Sequence, residues 1–312
     1  MKNTRFIYFL GGLLLLAVLG FSLKVGFFKN SNVTTTQKGD KLQISASFYP
    51  LYYFSSQIGG NKADVQNITP AGSEPHDYDP SFQDIARIER GDILILNGGV
   101  EAWADKIRDN LRGTKVKIVI AGEDLLTKQL IEEGQTVKDP HVWLDPVLAK
   151  REVQKITEAY AAVDPANKTY YQDNERQLNS KLDQLDADYK KGLRNCQSRD
   201  VVTSHEAFAY LADRYGLNEV PIAGLSPDEE PSAQQLADVA NFAKKNNVKY
   251  IFFESLVSPK LSETIASEIG AKTMVLDPIE GISDDDIKQG KNYFTVMKDN
   301  LKNLQTALQC ST

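Results

Sequence analysis

Histidine is scarce in this 312-residue sequence, with three copies in all, and each stands where an α/β protein gathers its ligands. His76 lies in TPAGSEPHDYDPS, His141 in DPHVWLDP, and His205 closes VVTSH, while Asp277 closes KTMVLD. Imidazole is a borderline ligand that suits zinc, and three imidazoles with one carboxylate or water complete the four-coordinate arrangement zinc prefers. A lone loop histidine is usually a hydrogen-bonded residue and nothing more. Here all three, with Asp277, fall around strand ends, the side on which open α/β sheets bind ligands. They are read as one metal site.

Other chemistries find less support. His205-Glu206 opens like a zincin motif, but the residue four after His205 is Ala209, so HExxH is absent. There is no GxSxG, no phosphate-binding loop and no cysteine beside a histidine at a strand end. No catalytic residue is assigned and an enzyme is not expected; an extracytoplasmic zinc hydrolase is kept as the weaker alternative.

The elements that must position these residues read as two α/β halves. LQISASF (42–48), DVQNIT (64–69), ILILNG (93–98) and KIVIAG (117–122) are short β-branched runs bounded by turn residues. Helical stretches such as PSFQDIARIER lie between them, with Phe82, Ile85 and Ile88 at helical spacing. The alternation predicts parallel βαβ units. It returns with VVTSH (201–205), VPIAGL (220–225), YIFFES (250–255) and KTMVLD (272–277). Between the halves, Tyr171, Leu178, Leu182, Leu185, Tyr189 and Leu193 form one apolar stripe, predicting a helix over 165–195 with Asp164 as N-cap and Pro165 at its first position. A kink near Gln184 is the alternative. The domain expectation is a membrane segment (1–28), a tether (29–40), an N-terminal lobe (41–163), a linking helix (164–195) and a C-terminal lobe (196–312).

Acidic residues outnumber basic ones 42 to 36, which argues against a nucleic-acid partner. The first thirty residues run the other way: Lys2, Arg5, Lys24 and Lys29 with no acid. Residues 6–23 are uncharged and, as a helix, reach about 27 Å, marginally enough for a bilayer. This segment either anchors the chain or is cleaved as a signal, with the anchor favoured; in both cases the body lies outside the cytoplasmic membrane. KNSNVTTTQKGD (29–40) reads as a flexible tether. In an exported chain, Cys196 and Cys310 allow one intramolecular disulfide, which would tie the C-terminal helix to the start of the second lobe.

The stretches SFYPLYYFSSQIGG (47–60), EPHDYDPS (74–81), DPHVWLDP (139–146), TSHEAFAYLADRYGL (203–217), GLSPDEEPS (224–232) and LDPIEG (276–281) resemble, in order and spacing, the zinc and manganese solute-binding proteins of ABC transporters, the ZnuA/TroA-like family. The resemblance covers nearly all of residues 42–310. It implies two α/β lobes joined by a long backbone helix with the metal in the cleft. It also implies His76, His141 and His205 as ligands, with Asp277 as fourth ligand or a nearby carboxylate. Manganese members usually carry glutamate at the position of His205, so histidine there points to Zn²⁺ as the transported ion, with Mn²⁺ the alternative. The implied partners are an ABC permease with a separate ATPase, acting on a monomeric receptor. Two departures stand out: the segment before His141 has no histidine-rich loop, and no lipoprotein cysteine follows the apolar run. Imidazole's ordinary pKa puts loss of binding below about pH 6.

Overall fold

The computed structural model describes residues 41–132 and 135–311. The anchor and tether expectations, on residues 1–28 and 29–40, fall outside them. Among the described residues no helix is long and apolar enough to cross a membrane.

All eight strands expected from the β-branched runs are present. β1 (Leu42–Ala46), β2 (Ala63–Asn67), β3 (Ile93–Leu96) and β4 (Lys117–Ile120) form a parallel sheet in the order β2-β1-β3-β4. β5 (Gln129–Glu132) and β6 (Gln135–Lys138) form an antiparallel pair outside it. The second parallel sheet holds β7 (Asp200–Thr203), β8 (Asn218–Pro221), β9 (Tyr250–Phe253) and β10 (Lys272–Val275), ordered β10-β9-β7-β8. Numbered within its own lobe, each sheet has the same order, 2-1-3-4. The fold is thus two similar α/β lobes, and each sheet reverses direction beside its first strand, where such sheets open a crevice for ligands.

Helices α1 (Tyr49–Gly59), α2 (Phe82–Arg90) and α3 (Ala104–Asn110) connect the first sheet, and α4 (Pro146–Val163) and α5 (Lys168–Gly192) follow it. Helices α6 (Ala209–Tyr215), α7 (Ala233–Lys245), α8 (Lys260–Ile269), α9 (Asp284–Lys288) and α10 (Tyr293–Ala307) complete the second lobe. Local signals start them: Ser81 with Asp84, Ser232 with Gln235 and Asn292 with Thr295 each form a capping box.

The pleat explains why the central strands read as unbroken apolar runs. Ile93 and Ile95 point into one core, Leu94 and Leu96 into another on the opposite face. Val201 and Phe252 likewise face inward while Val202 and Ile251 face outward. The two inner faces share one hydrophobic core that passes through both lobes, filled by α1, α4, α5 and α10. α5 is its spine: all six residues of the expected stripe, Tyr171 to Leu193, are buried. The helix is continuous over 25 residues, about 37 Å long.

Two local expectations are corrected. Pro165–Asn167 form a 3₁₀ turn, and Asp164 caps the end of α4, its carboxylate accepting from Asn167 Nδ2 (2.6 Å) and Tyr171 Oη (2.7 Å). That carboxylate is spent on these groups, so α5 begins three residues late. Phe82, expected on the apolar face of α2, is 92% exposed, and only Ile88 of that trio is buried. Phe82 sits on the first turn, directly after the cap, where the helix has not yet met the sheet.

Cys196 and Cys310 are disulfide-bonded, closing a 114-residue separation and holding the end of α10 against the chain leaving α5. In the chain-entropy account a loop of this size is worth up to about 4–5 kcal/mol. Replacing both cysteines with serine is expected to lower Tm by several degrees or more in calorimetry while leaving ion-binding stoichiometry unchanged. An unaltered Tm would show that the core alone fixes the C-terminus.

Candidate metal centre

The three histidines converge, and the fourth member of the group is Glu280. One donor atom from each of His76, His141, His205 and Glu280 lies within 4.8 Å of all the others. Glu280 Oε1 stands 3.3 Å from His76 Nε2, 3.1 Å from His141 Nε2 and 3.5 Å from His205 Nε2, and the last two nitrogens are 3.4 Å apart. His141 and His205 are fully buried, whereas the His76 side chain is 10% exposed and marks the solvent side.

Each imidazole is delivered by a different device. His205 lies two residues beyond β7, and Glu219 pins its loop by accepting from Thr203 Oγ1 and Phe208 N, both at 3.0 Å. His141 sits in a tight turn where Asp139 Oδ1 accepts from its backbone N–H (2.9 Å) and meets its Nδ1 (2.8 Å). Behind that turn, Asn97 Nδ2 donates to Pro140 O (2.9 Å), and Glu101 fixes Asn97 by accepting from its backbone N–H (2.7 Å). Asp145 then caps α4 through Val147 N. His76 lies in the loop after β2, where its N–H donates to Glu74 Oε1 (3.1 Å).

Carboxylates stand behind both buried rings: Asp139 on His141 Nδ1, and Glu254, the residue after β9, on His205 Nδ1 at 2.7 Å. Such pairs fix the tautomer, leaving Nε2 free to coordinate, and raise ligand basicity. Burial works against a charged His141, but Asp139 and Glu280 outweigh it and lift its pKa to about 9. Burial likewise opposes charge on His205, and Glu254 and Glu280 override it, holding the ring well above the usual imidazole range. Burial would raise Glu280, yet His205, His141 and His76 hold it well below the carboxylate range. Glu74, half-buried and near the Glu280 charge, is pushed up to about 9 by desolvation and that neighbouring carboxylate.

Asp277, the carboxylate expected from the sequence, is not in the cluster. Its Oδ1 accepts from Ile279 N (2.7 Å) and its Oδ2 from Ser255 Oγ. The chain then turns through Ile279, a buried β-branched residue at φ 62°, a left-handed conformation that costs such a residue about 1–2 kcal/mol. This turn brings Glu280 back to the rings. Gly281 completes it by close approach: a Cβ there would stand 3.2 Å from Ser73 O and 3.1 Å from Leu256 Cδ1, squeezing the loop that leads to His76.

The two lobes are tied beside the site. Trp143 Nε1 donates to Pro278 O (2.7 Å), Tyr293 Oη to Trp143 O (2.6 Å) and Tyr210 Oη to Asp139 O (3.0 Å). His141 is therefore held in register with Glu280 by the residue two positions after one and two before the other. Three nitrogens and one oxygen converging in this way form a donor set for a zinc-like cation.

Comparison with known proteins agrees. Residues 44–307 match the family described as "ZnuA: Zinc-uptake complex component A periplasmic". The chain is 41% identical over 283 residues to the high-affinity zinc uptake system protein ZnuA of Bacillus subtilis, covering 87% of this chain and 89% of that protein. It is 40% identical over 281 residues to the zinc-binding lipoprotein AdcA of Streptococcus pneumoniae, covering 86% of this chain but only 56% of that one. Among solved structures, the Zn(II)-bound ZnuA-like domain of Streptococcus pneumoniae AdcA superposes with a TM-score of 0.74 at 41% identity, covering 86% of this chain and 99% of the domain.

Proposed function

This chain belongs to the ZnuA family of periplasmic zinc-uptake components, and from that premise we propose that it captures Zn²⁺ between its lobes and delivers it to an ABC permease driven by a separate ATPase. The observation that carries this reading is the four-donor cluster of His76, His141, His205 and Glu280 at the seam between the two lobes. Four protein donors fill the sphere zinc prefers and leave no position for an activated water, so the arrangement suits carriage of the ion rather than hydrolysis. Three nitrogens with one oxygen favour zinc over manganese, whose harder ion takes oxygen more readily.

Residues 41–163 and 196–312 act as the lobes that enclose the ion, with residues 164–195 as the connector, and the receptor works as a monomer on the outer face of the membrane. Residues 6–23 anchor it there or are removed on export. Handing over the ion requires the cross-lobe bonds at Trp143 and Tyr210 to part, since these hold His141 opposite Glu280.

Metal analysis of protein purified without chelator, followed by competition between Zn²⁺ and Mn²⁺, tests the reading. One equivalent of zinc that excess manganese does not displace is expected. One equivalent of manganese with zinc excluded would overturn the choice of ion, and no bound metal would overturn capture itself.

A further inference from the structure

Glu280 reaches the three imidazoles from a turn of unusual geometry, and we propose that Asp277 sets that geometry: it is a positioning residue that holds Ile279 in the left-handed conformation and so aims the Glu280 carboxylate, without touching the captured ion. The inference rests on the zinc-capture reading above. Both Asp277 oxygens are engaged away from the donor cluster, Oδ1 by Ile279 N at 2.7 Å and Oδ2 by Ser255 Oγ. Its backbone is clamped from both sides by the buried Asn300 of α10: Asn300 Oδ1 accepts from Asp277 N (2.9 Å) and Asn300 Nδ2 donates to Asp277 O (2.7 Å). Pro278 fixes its own φ and disfavours the helical region for Asp277. Its carbonyl is held by Trp143 from the other lobe.

Ile279 is then the one residue of the turn in a region that β-branched side chains avoid. It is 0% exposed, so the core has already claimed its side chain. The bond that its N–H makes to Asp277 is therefore the device that keeps the backbone reversed, so that the next residue's carboxylate faces Nε2 of His76, His141 and His205 at 3.1–3.5 Å. A short polar side chain accepting from the backbone two residues on is a standard way to fix a turn. Asp277 does this with a carboxylate that would otherwise be mistaken for a ligand.

Four full-length proteins decide the matter: the unaltered chain, Asp277→Asn, Asp277→Ala and Glu280→Gln. Each is titrated with Zn²⁺ against a chromophoric chelator and, separately, loaded with Co²⁺ to record the visible d–d bands. Asn keeps an acceptor oxygen for Ile279 N–H, so Asp277→Asn is expected to hold its zinc Kd within about threefold and to keep the cobalt spectrum. Asp277→Ala is expected to weaken zinc by roughly 10–100-fold, the size typical of groups that orient a ligand. Glu280→Gln is expected to change the cobalt bands. A Glu280→Gln-like spectrum in Asp277→Asn would make Asp277 a ligand and overturn the proposal, as would unchanged affinity in Asp277→Ala. The Asn and Gln variants decide it even where the Ala variant does not fold. Failure of the unaltered chain to take up one equivalent of either ion would instead overturn the capture reading.

Discussion

Alanine at His141 and His205 together is expected to abolish high-affinity zinc capture, raising Kd by at least about 10⁴-fold. Structural zinc sites with four protein ligands are worth about 10–16 kcal/mol, so each ligand carries on the order of 3 kcal/mol, or roughly 100-fold in affinity. Two features of this site push the loss upward. Both rings are fully buried, so water enters poorly as a substitute ligand. Removing them also leaves Asp139 and Glu254 with Glu280 in the same buried space, three carboxylates without the imidazoles they face. His76→Ala should be the mildest of the three single substitutions, because its position is the one open to solvent and a water can stand in. Chelator competition measures the order directly, with circular dichroism confirming the fold. Affinities within threefold of the unaltered chain in all variants would show that the ion binds elsewhere.

The order of difficulty in reading this site from sequence follows the physics of each position. Strand-end placement holds for His205, two residues past β7, whereas His76, nine residues past β2, and His141, after the β5–β6 pair, are brought in by loops; the eight strands were legible because burial on both faces demands β-branched runs. The spine helix was legible for the same reason: a stripe at helical spacing has no other use for Leu178, Leu182 and Leu185. Glu280 was missed because the rule that finds a ligand at a strand end stops at Asp277, immediately beyond β10. The left-handed turn that carries the chain three residues further is made by isoleucine, where glycine or asparagine would have announced it. The β5–β6 pair escaped because QLIE and QTVK begin and end on polar residues and lack the unbroken apolar run that marks a buried strand. The carboxylates behind the rings differ again: Asp139 lies two residues from His141 and invites notice, while Glu254, just beyond β9, is 49 residues away from His205.

Zinc affinity is expected to climb steeply with pH well past the ordinary imidazole range, with log Kd falling by close to two for each pH unit between about pH 6.5 and 8. Reading the histidines as unperturbed placed the loss of binding below about pH 6; the carboxylates behind the rings move it upward. His141 is lifted to about 9 in the metal-free site, and His205 also lies well above the ordinary imidazole range. Zinc must therefore displace about two protons at neutral pH, and for His141 alone the competition weakens apparent binding roughly 100-fold at pH 7. The sign for the metal-free fold is opposite. A group whose folded pKa is raised stabilises fully below its unfolded value, about 6.5 for histidine, and that contribution fades as pH rises toward 9. The metal-free protein thus loses the contribution of these rings across the interval in which the zinc form gains, and the Tm difference between them should widen from pH 6.5 to 9. Calorimetric titration in buffers of differing ionisation enthalpy counts the protons: about two released per zinc at pH 7 is expected. Fewer than half a proton, with Kd flat above pH 6.5, would mean that the rings are neutral before the ion arrives and that Asp139 and Glu254 only orient them. With about two protons displaced, an acidic exterior favours release through protonation at His141 and His205, because these are the donors whose proton affinity the protein has raised.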